Sequence, residues 1–234
     1  MKKVAIMQPY FMPYIGYFQL INSVDQFIIY DNIQYTKKGW INRNRILTNG
    51  KDRLLTLPIK KDSDYLNVVE RELANSWKEE KLKMINVIRS SYNKAPYFPE
   101  SFNLICQCLT GSDTNLFKFI FNSITLIRDF LEIKTDIVIS STIDIDHALK
   151  AQDKVLALCK AKNAEHYINA IGGTELYQKK TFEQNNVKLS FIKSNYITYK
   201  QFNNEFVPWL SIIDVLMFNP KEQIQKFLNE YTLL

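Results

Sequence analysis

The start of the chain contains two short apolar segments, and each ends abruptly at polar residues. Residues 4–7 are apolar and are followed by Gln8 and Pro9, and residues 27–30 are followed by Asp31. Between them, residues 16–24 carry aromatic and aliphatic side chains at helical spacing. A strand, a helix and a second strand in this order predict two parallel strands of an open α/β sheet. Ligands of such sheets bind beyond the carboxyl ends of the strands, so we expect a site that includes Gln8 and Asp31.

The remainder of the chain has a helical middle part, followed by strands that alternate with helices. Apolar residues recur every three or four positions in residues 75–93 and 115–131, which predicts helices. Strands are predicted at 53–59, 136–140, 166–169 and 188–193, and further helices at 150–162, at 174–185 and from about 220. We therefore predict a single α/β domain over residues 1–234, with a mainly parallel Rossmann-like sheet and a largely helical insertion at about 75–131.

The composition is typical of a soluble globular protein. Hydrophobic residues make up 46% and charged residues 23% of the chain, which allows a substantial core. No apolar stretch approaches the roughly 18 residues that span a bilayer, and prolines interrupt the start before a signal peptide can form. We therefore expect a cytoplasmic protein without membrane insertion. The three cysteines and two histidines are too scattered for a metal site or a disulfide framework, so reduced thiols and no metal ligands are predicted.

The chain carries an excess of positive charge. The net charge is +6 and the pI about 9.0, which permits anionic partners such as phosphates, nucleotides, RNA or a membrane surface. The basic residues are spread along the sequence, apart from a concentration in residues 37–45. Nucleic acid is therefore not an expected partner, except in the form of a charged tRNA.

The segment after the first strand is predicted to be a ligand-binding loop. Pro9 and Pro13 cannot continue a central strand, because proline lacks a backbone donor and has a fixed φ. Gly16 allows close approach of a ligand to the backbone, and the following helix offers free amide groups to an anion. We interpret Gln8, Pro9, Tyr10 and Gly16 as substrate-binding residues. The alternative is that the aromatic residues fill the core and Gly16 begins a helix.

The placement of this loop is similar to that in the nucleotidyltransferase and class I synthetase superfamily, where a loop after the first strand leads into a nucleotide-binding helix. This likeness is an analogy of fold. Proteins of that superfamily carry histidines in the loop, and none occurs in this one. The analogy therefore favours the fold and does not favour an adenylylating mechanism of the usual type.

Polar residues also follow the second strand. The carboxylate of Asp31 could orient a ribose hydroxyl, an amine or a metal-bound water, and the alternative is an aspartate that caps a turn. Gln34 and Tyr35 are interpreted as substrate-binding residues beside it. Residues 37–45 contain four cations, with a tryptophan and two asparagines between them: Lys37, Lys38, Trp40, Asn42, Arg43, Asn44 and Arg45.

The chemistry of residues 37–45 favours a sugar-nucleotide or phosphate site. Arginine binds phosphate through two parallel hydrogen bonds and stacks on bases, and asparagine can bind sugar hydroxyls. We therefore include Lys37, Trp40, Asn42, Arg43, Asn44 and Arg45 among the substrate-binding residues. The alternative is a solvated basic loop.

Three weaker signals occur later in the chain. Gly172 and Gly173 follow a predicted strand and precede a predicted helix, where free amides could bind a phosphate or carboxylate, or simply form a tight turn. His147 is a second candidate for the catalytic base beside Asp31. Ser211 and Asp214 have no histidine near them in sequence, so a hydrolase triad is not expected, and Trp209 is interpreted as a core residue.

Several short motifs occur along the chain in order: QPYF at 8–11, GY at 16–17, DNIQY at 31–35, WINRNR at 40–45, KAPY at 94–97, GG at 172–173 and LSIID at 210–214. With them the chain resembles the WbqC-like protein family, from the first strand to about residue 219. The resemblance implies a role in the biosynthesis of bacterial O-antigen, lipopolysaccharide or other surface polysaccharides, where some members are labelled glycine or acyl transferases that act on amino sugars. It also supports one set of residues as the site: Gln8, Asp31, Gln34, Asn42, Arg43, Asn44 and Arg45.

The leading hypothesis is a transferase that moves an acyl or aminoacyl group, such as glycyl, to the amine of a nucleotide-linked amino sugar. Arg43, Arg45 and the Gly172 turn would bind phosphates, and Asp31 or His147 would take the proton of the amine. A free amino acid as donor implies ATP and Mg²⁺ as cofactors, whereas an acyl-CoA or a charged tRNA does not. Two alternatives remain open: a non-catalytic protein that binds a sugar nucleotide or assists the same pathway, and an RNA-binding module.

Overall fold

A computed structural model describes residues 1–234 and contains eight strands and eight α-helices. The strands are β1 (Lys3–Met7), β2 (Gln26–Ile29), β3 (Arg43–Thr48), β4 (Lys51–Thr56), β5 (Asp136–Ile139), β6 (His166–Ala170), β7 (Lys188–Ser194) and β8 (Tyr231–Leu233). The helices are α1 (Ile15–Asn22), α2 (Trp77–Tyr92), α3 (Phe98–Leu109), α4 (Leu116–Phe130), α5 (Ala151–Ala161), α6 (Lys179–Gln184), α7 (Ile212–Phe218) and α8 (Lys221–Phe227). None of these helices combines the length and the apolar character needed to cross a membrane.

The main sheet has six strands in the order β5-β2-β1-β6-β7-β8. The first five strands in this order run parallel, and β8 pairs antiparallel with β7 at the edge. The prediction of a mainly parallel α/β sheet is therefore confirmed. The chain builds one side of the sheet with β2 and β5, and then returns to the other side of β1 with β6. The order reverses between β1 and β6, and open α/β sheets bind ligands outside the carboxyl ends of strands at such a reversal.

Side chains of β1 alternate between the two faces of the sheet. Ala5 belongs to a core cluster of 48 buried residues, whereas Val4 and Ile6 belong to a separate cluster of 14. The larger cluster includes residues of α1, α2, α3, α4, α7 and α8, and the smaller one includes residues of α5 and α6. Burial of each such aliphatic side chain contributes about 1.5–3 kcal/mol. Because helices cover both faces, the ends of the strands are where the sheet can form a site.

Residues 43–56 form an antiparallel hairpin, of which the sequence analysis predicted only a strand at 53–59. β3 pairs with β4 from Arg43↔Thr56 to Thr48↔Lys51. The two turn residues, Asn49 and Gly50, have φ of 51° and 75°. Positive φ at both positions is what a tight hairpin turn requires, and Asn-Gly is its preferred sequence. The strand predicted at 53–59 therefore begins and ends earlier, and the basic segment enters a strand at Arg43.

The predicted helix at 174–185 is shorter than expected and begins later. The chain after β6 forms a 3₁₀-helical segment, Ile171–Leu176, before α6 starts at Lys179. Tyr177 and Gln178, which separate the two segments, have extended backbone, with ψ of 140° and 112°. Gly172 and Gly173 therefore lie in a short 3₁₀ segment after β6 and do not open a long helix.

Candidate functional site

A cavity of about 860 Å³ opens where the strand order reverses. We call it the switch-point cavity. Its walls come from the ends of β1, β2 and β6, from the segment before α5 and from the first turns of α5. The polar and aromatic residues that line it include Gln8, Tyr10, Tyr30, Asn32, Gln34, His147, Lys150, Lys154, Asn169 and Tyr177, together with Gly172 and Gly173.

The glycine pair forms one wall of the switch-point cavity, and its two members differ in their surroundings. A Cβ atom added at Gly173 would lie 2.1 Å from Nδ2 of Asn169. A Cβ at Gly172 would meet no atom within 4 Å. Gly173 is therefore required for the close approach of the Asn169 side chain, whereas Gly172 leaves space open to a ligand.

Asn169 is a site residue that the sequence analysis missed. The residue is 5% exposed and lines the cavity from the end of β6. Its carboxamide is not among the buried polar groups that lack a partner, so it faces the cavity. A polar residue at the end of an apolar strand, directly before Gly-Gly, was the signal that could have identified it. Its carboxamide offers both a donor and an acceptor to a ligand.

Lys154 is a second residue that the sequence analysis missed. It comes from α5 and places its ammonium group 3.3 Å from the carbonyl oxygen of Asn32 and 5.5 Å from the ring centre of Tyr30. Burial lowers the pKa of Lys154, and the carboxylate of Asp31 opposes this shift. Lys154 lines the cavity with no carboxylate bonded to it, so its charge is available to an anionic ligand.

His147 and Asp31 are joined by a chain of hydrogen bonds. The Nδ1 atom of His147 lies 2.9 Å from Nδ2 of Asn32, and its Nε2 lies 3.0 Å from the carbonyl oxygen of Ile143. A carbonyl can only accept, so the proton is assigned to Nε2 and Nδ1 is the acceptor. The Ser140 hydroxyl lies 2.6 Å from Oδ1 of Asn32 and 2.9 Å from Oδ1 of Asp31.

Asp31 lies behind the cavity wall and does not line it. The residue is 4% exposed, and its Oδ1 also accepts a hydrogen bond of 3.0 Å from the backbone amide of Ser141. Its bonds therefore tie the end of β2 to the segment after β5, and it reaches the cavity only through Ser140 and Asn32. Gln34 does line the cavity, and its Nε2 donates to the carbonyl oxygen of Asp64.

Most residues of the basic segment support the fold rather than line the switch-point cavity. Asn42 accepts from the Tyr35 hydroxyl and donates to a backbone carbonyl, with both distances 2.9 Å. Arg43 donates to the carbonyl oxygen of Lys37. Lys37 itself is exposed and pairs with Asp64 at 2.7 Å. The structure thus places Tyr35, Lys37, Asn42 and Arg43 outside both the switch-point cavity and the cleft described next.

A second concavity, of about 250 Å³, shares Tyr10 with the switch-point cavity. We call it the aromatic cleft. It is lined by Tyr10, Pro13, Tyr14, Trp40, Asn44, Arg45 and Trp209. Trp40 and Trp209 are 43% and 48% exposed, so the expectation that Trp209 is a core residue is wrong. The aromatic cleft unites three residues of the basic segment with the loop after β1, because Asn44 donates to two carbonyls of that loop at 3.1 and 2.9 Å.

Pro9 and Gly16 support this loop without lining either space. Pro9 is buried. A Cβ at Gly16 would lie 2.3–2.4 Å from ring atoms of Tyr14. Gly16 is therefore needed because the Tyr14 ring packs directly on the start of α1, which places that ring in the wall of the aromatic cleft.

Asp214 of the LSIID motif is fully buried in α7. Its carboxylate accepts from the hydroxyls of Tyr92 and Tyr199 at 2.8 and 2.7 Å and from Nε2 of Gln201 at 2.6 Å. Burial raises the pKa of Asp214 to about 6, although these bonds oppose the shift. The Ser211 hydroxyl donates to a carbonyl of the loop after β1 at 2.6 Å. The motif therefore holds the loop that separates the two spaces, and no histidine joins it as in a hydrolase.

Two comparisons with known proteins match most of the chain. The model of the WbqC-like protein family matches residues 8–226. An uncharacterized protein of Mycobacterium tuberculosis, Rv1507c, is 30% identical over 221 residues, which make up 94% of each chain. The resemblance found in the motifs is thereby confirmed. The chain belongs to the WbqC-like protein family.

Proposed function

We propose that the protein transfers an acyl or aminoacyl group, such as glycyl, to the amine of a nucleotide-linked amino sugar in the biosynthesis of a bacterial surface polysaccharide. The acceptor would bind in the switch-point cavity. One observation carries the proposal: a cavity of about 860 Å³ at the reversal of strand order combines the cation of Lys154 with several carboxamides. Its volume is within the roughly 300–1,000 Å³ of small-molecule sites.

The polar groups of the cavity suit the two parts of such an acceptor. Lys154 would bind a phosphate, and the open space at Gly172 allows the phosphate to approach the backbone. Gln8 and Asn169 would bind sugar hydroxyls or an amide, because each carboxamide both donates and accepts.

His147 is the proposed base. An alkylammonium must lose a proton before it attacks, and Nδ1 of His147 has the lone pair that would accept this proton once the amine displaces Asn32. The amine nitrogen then bonds to the acyl carbon while the bond from that carbon to the donor's leaving group breaks. Asp31 would act as a positioning residue before the amine binds, since it reaches His147 through Ser140 and Asn32 until the amine displaces Asn32.

The donor is proposed to be one of three kinds. A free amino acid would need ATP and Mg²⁺, and an acyl-CoA or a charged tRNA would be already activated. No group of three or more His, Cys, Asp or Glu side chains is placed to hold a metal ion. Mg²⁺ would therefore be held mainly through the phosphates of ATP and water, as is common for this ion. Nucleotide-linked acceptors of this kind place the proposed reaction in the cytoplasm.

The experiment is mass spectrometry of the protein incubated with nucleotide-linked amino sugars and glycine, ATP and Mg²⁺, or with acyl-CoA donors. A product heavier by one acyl unit is expected. Lys154→Ala should weaken acceptor binding about 10- to 100-fold, the value of a charge-assisted hydrogen bond. Lys160→Ala is the matched control, because Lys160 is exposed on the same helix and does not line the cavity. No product with any donor would contradict the transferase.

A non-catalytic protein that binds a sugar nucleotide is the second candidate. It is favoured by one observation: both ring nitrogens of His147 are already hydrogen bonded within the chain. In that case His147→Ala would change the affinity for the sugar nucleotide, with no turnover to lose. In a transferase the same variant should lower kcat more than it raises KM. RNA binding has less support, since Lys37 and Arg43 are engaged within the chain.

A further inference from the structure

The aromatic cleft differs from the switch-point cavity in the chemistry that it offers. Arg45 supplies the only charge among the residues that line the cleft. Its contacts to Asp52 and to the carbonyl of Trp209 are long, at 3.3 and 3.4 Å, so a stronger anionic partner could displace them. The carboxamide of Asn44 is fully engaged, because it donates to two carbonyls and accepts from the Arg45 amide at 2.8 Å.

This set of groups favours a flat ring with a nearby negative charge. The faces of Trp40 and Trp209 are half exposed, and the guanidinium of Arg45 lies 5.6 Å from the ring centre of Trp40. Aromatic side chains stack on nucleobases, and a guanidinium binds phosphate. The lining contains no carboxylate, and the oxygen of its one asparagine already accepts from the Arg45 amide, so a ring with many hydroxyls would find only the tyrosine hydroxyls as acceptors.

The backbone holds Trp209 in this position against its own preference. Trp209 has φ of 60°, a left-handed conformation that costs a bulky residue free energy. The next residues are fixed to the hairpin and to the loop after β1: the Ser211 amide donates to Arg45 and the Ile212 amide to Pro13, both at 2.8 Å. Strain that positions an exposed aromatic ring beside a cation is typical of a binding site.

We propose that the aromatic cleft binds the adenine ring and a phosphate of an adenosine phosphate, and that it is the donor subsite. The identification as donor subsite rests on the proposed function. ATP, coenzyme A and the 3′ end of a charged tRNA each contain an adenosine phosphate, so one cleft serves any of the three donors. Tyr10 lines both the cleft and the switch-point cavity, which places the donor next to the acceptor.

The test is the binding of AMP, measured by calorimetry and by quenching of tryptophan fluorescence. AMP should bind the wild type more tightly than UMP or a free hexosamine. Trp209→Ala and Trp40→Ala should each weaken AMP binding about tenfold, as expected for loss of base stacking. Leu54→Ala is the control, because Leu54 is 48% exposed on β4 and lies outside the cleft. Both tryptophans are half exposed, so the variants should keep the thermal unfolding temperature close to that of the wild type.

Three outcomes would overturn the proposal: no AMP binding, equal binding of AMP and hexosamine, or AMP binding that neither tryptophan variant weakens. ATP, coenzyme A and a short RNA ending in CCA, compared in parallel, would identify the source of the adenosine phosphate by the tightest binder. AMP binding that depends on Trp209 without any transfer product would retain the cleft as an adenosine-phosphate site and reject the transferase. Transfer without AMP binding would retain the transferase and reject the cleft as an adenosine-phosphate site.

Discussion

The switch-point cavity and the aromatic cleft share Tyr10, and the rest of their linings differs in chemistry. Carboxamides and Lys154 line the cavity, from strand ends and α5. The cleft is lined by aromatic side chains and Arg45, from the loop after β1, the basic segment and the segment before α7. The ends of parallel strands supply polar side chains, whereas the loop after β1 and the strained Trp209 supply aromatic ones. This difference is the basis for the proposal of two ligands of different chemistry.

The largest expected difference between the two regions comes from Gly173→Ala. The added methyl group would displace the Asn169 carboxamide, which should weaken sugar-nucleotide binding in the cavity about 10- to 100-fold, as overpacking costs about 1–3 kcal/mol. AMP binding in the cleft should be unchanged. Gly111→Ala is the matched variant, with no expected loss, because Gly111 lies outside the cavity and an added Cβ there would meet only Nδ2 of Asn122, at 3.7 Å. Calorimetry with both ligands measures the difference, and equal losses in the two variants would contradict the role of Asn169.

Tyr10→Ala should weaken ligand binding in both regions. The residue lines both spaces, so its loss should weaken both ligands, each by up to about tenfold, a common cost of removing an aromatic contact. Tyr10→Phe should retain most of both affinities, because the ring remains. Loss of one ligand alone would show that Tyr10 belongs to a single site. Calorimetry with each ligand in turn, and then with both present, provides the measurement.

The smallest expected effect is a difference in pH dependence. Burial lowers the pKa of Lys154, so this lysine loses its charge at a lower pH than an ordinary lysine. Affinity for an anion in the cavity should therefore fall several-fold as the pH rises from about 7 to about 10. Arg45 keeps its charge throughout this range, so AMP binding in the cleft should stay nearly constant. The measurement is the affinity for the cavity ligand at several pH values, with the wild type and with Lys154→Ala. If the affinity of both proteins fell in parallel as the pH rose, a group other than Lys154 would cause the pH dependence.

The sequence predicted the position of the switch-point cavity better than the side chains that line it. The ends of β1 and β2 could be found from apolar segments that stop at Gln8 and Asp31, because parallel strands place their polar ends together. The direction of each polar side chain could not be found in this way. Asp31 and Asn42 satisfy backbone and hydroxyl groups that approach only in the folded chain.

Contacts between distant parts of the sequence also explain why Asn169 and Lys154 were not predicted. Asn169 and Lys154 reach the cavity because β6 pairs with β1 and α5 packs beside it, contacts between residues far apart in sequence. The hairpin had a local signal in Asn49-Gly50, which the sequence analysis did not use. The short strand β8 and helix α7 had no clear pattern of their own, since α7 is buried on all sides.

The pairing of β1 sets the order in which this protein can assemble on the ribosome. β2 emerges soon after β1 and can pair with it, whereas the partner of the other edge, from Lys3↔His166 onward, is synthesised much later. Until then the nascent chain exposes an apolar strand edge, a feature that promotes aggregation. The cavity at the reversal of strand order can therefore form only after β6 has been synthesised.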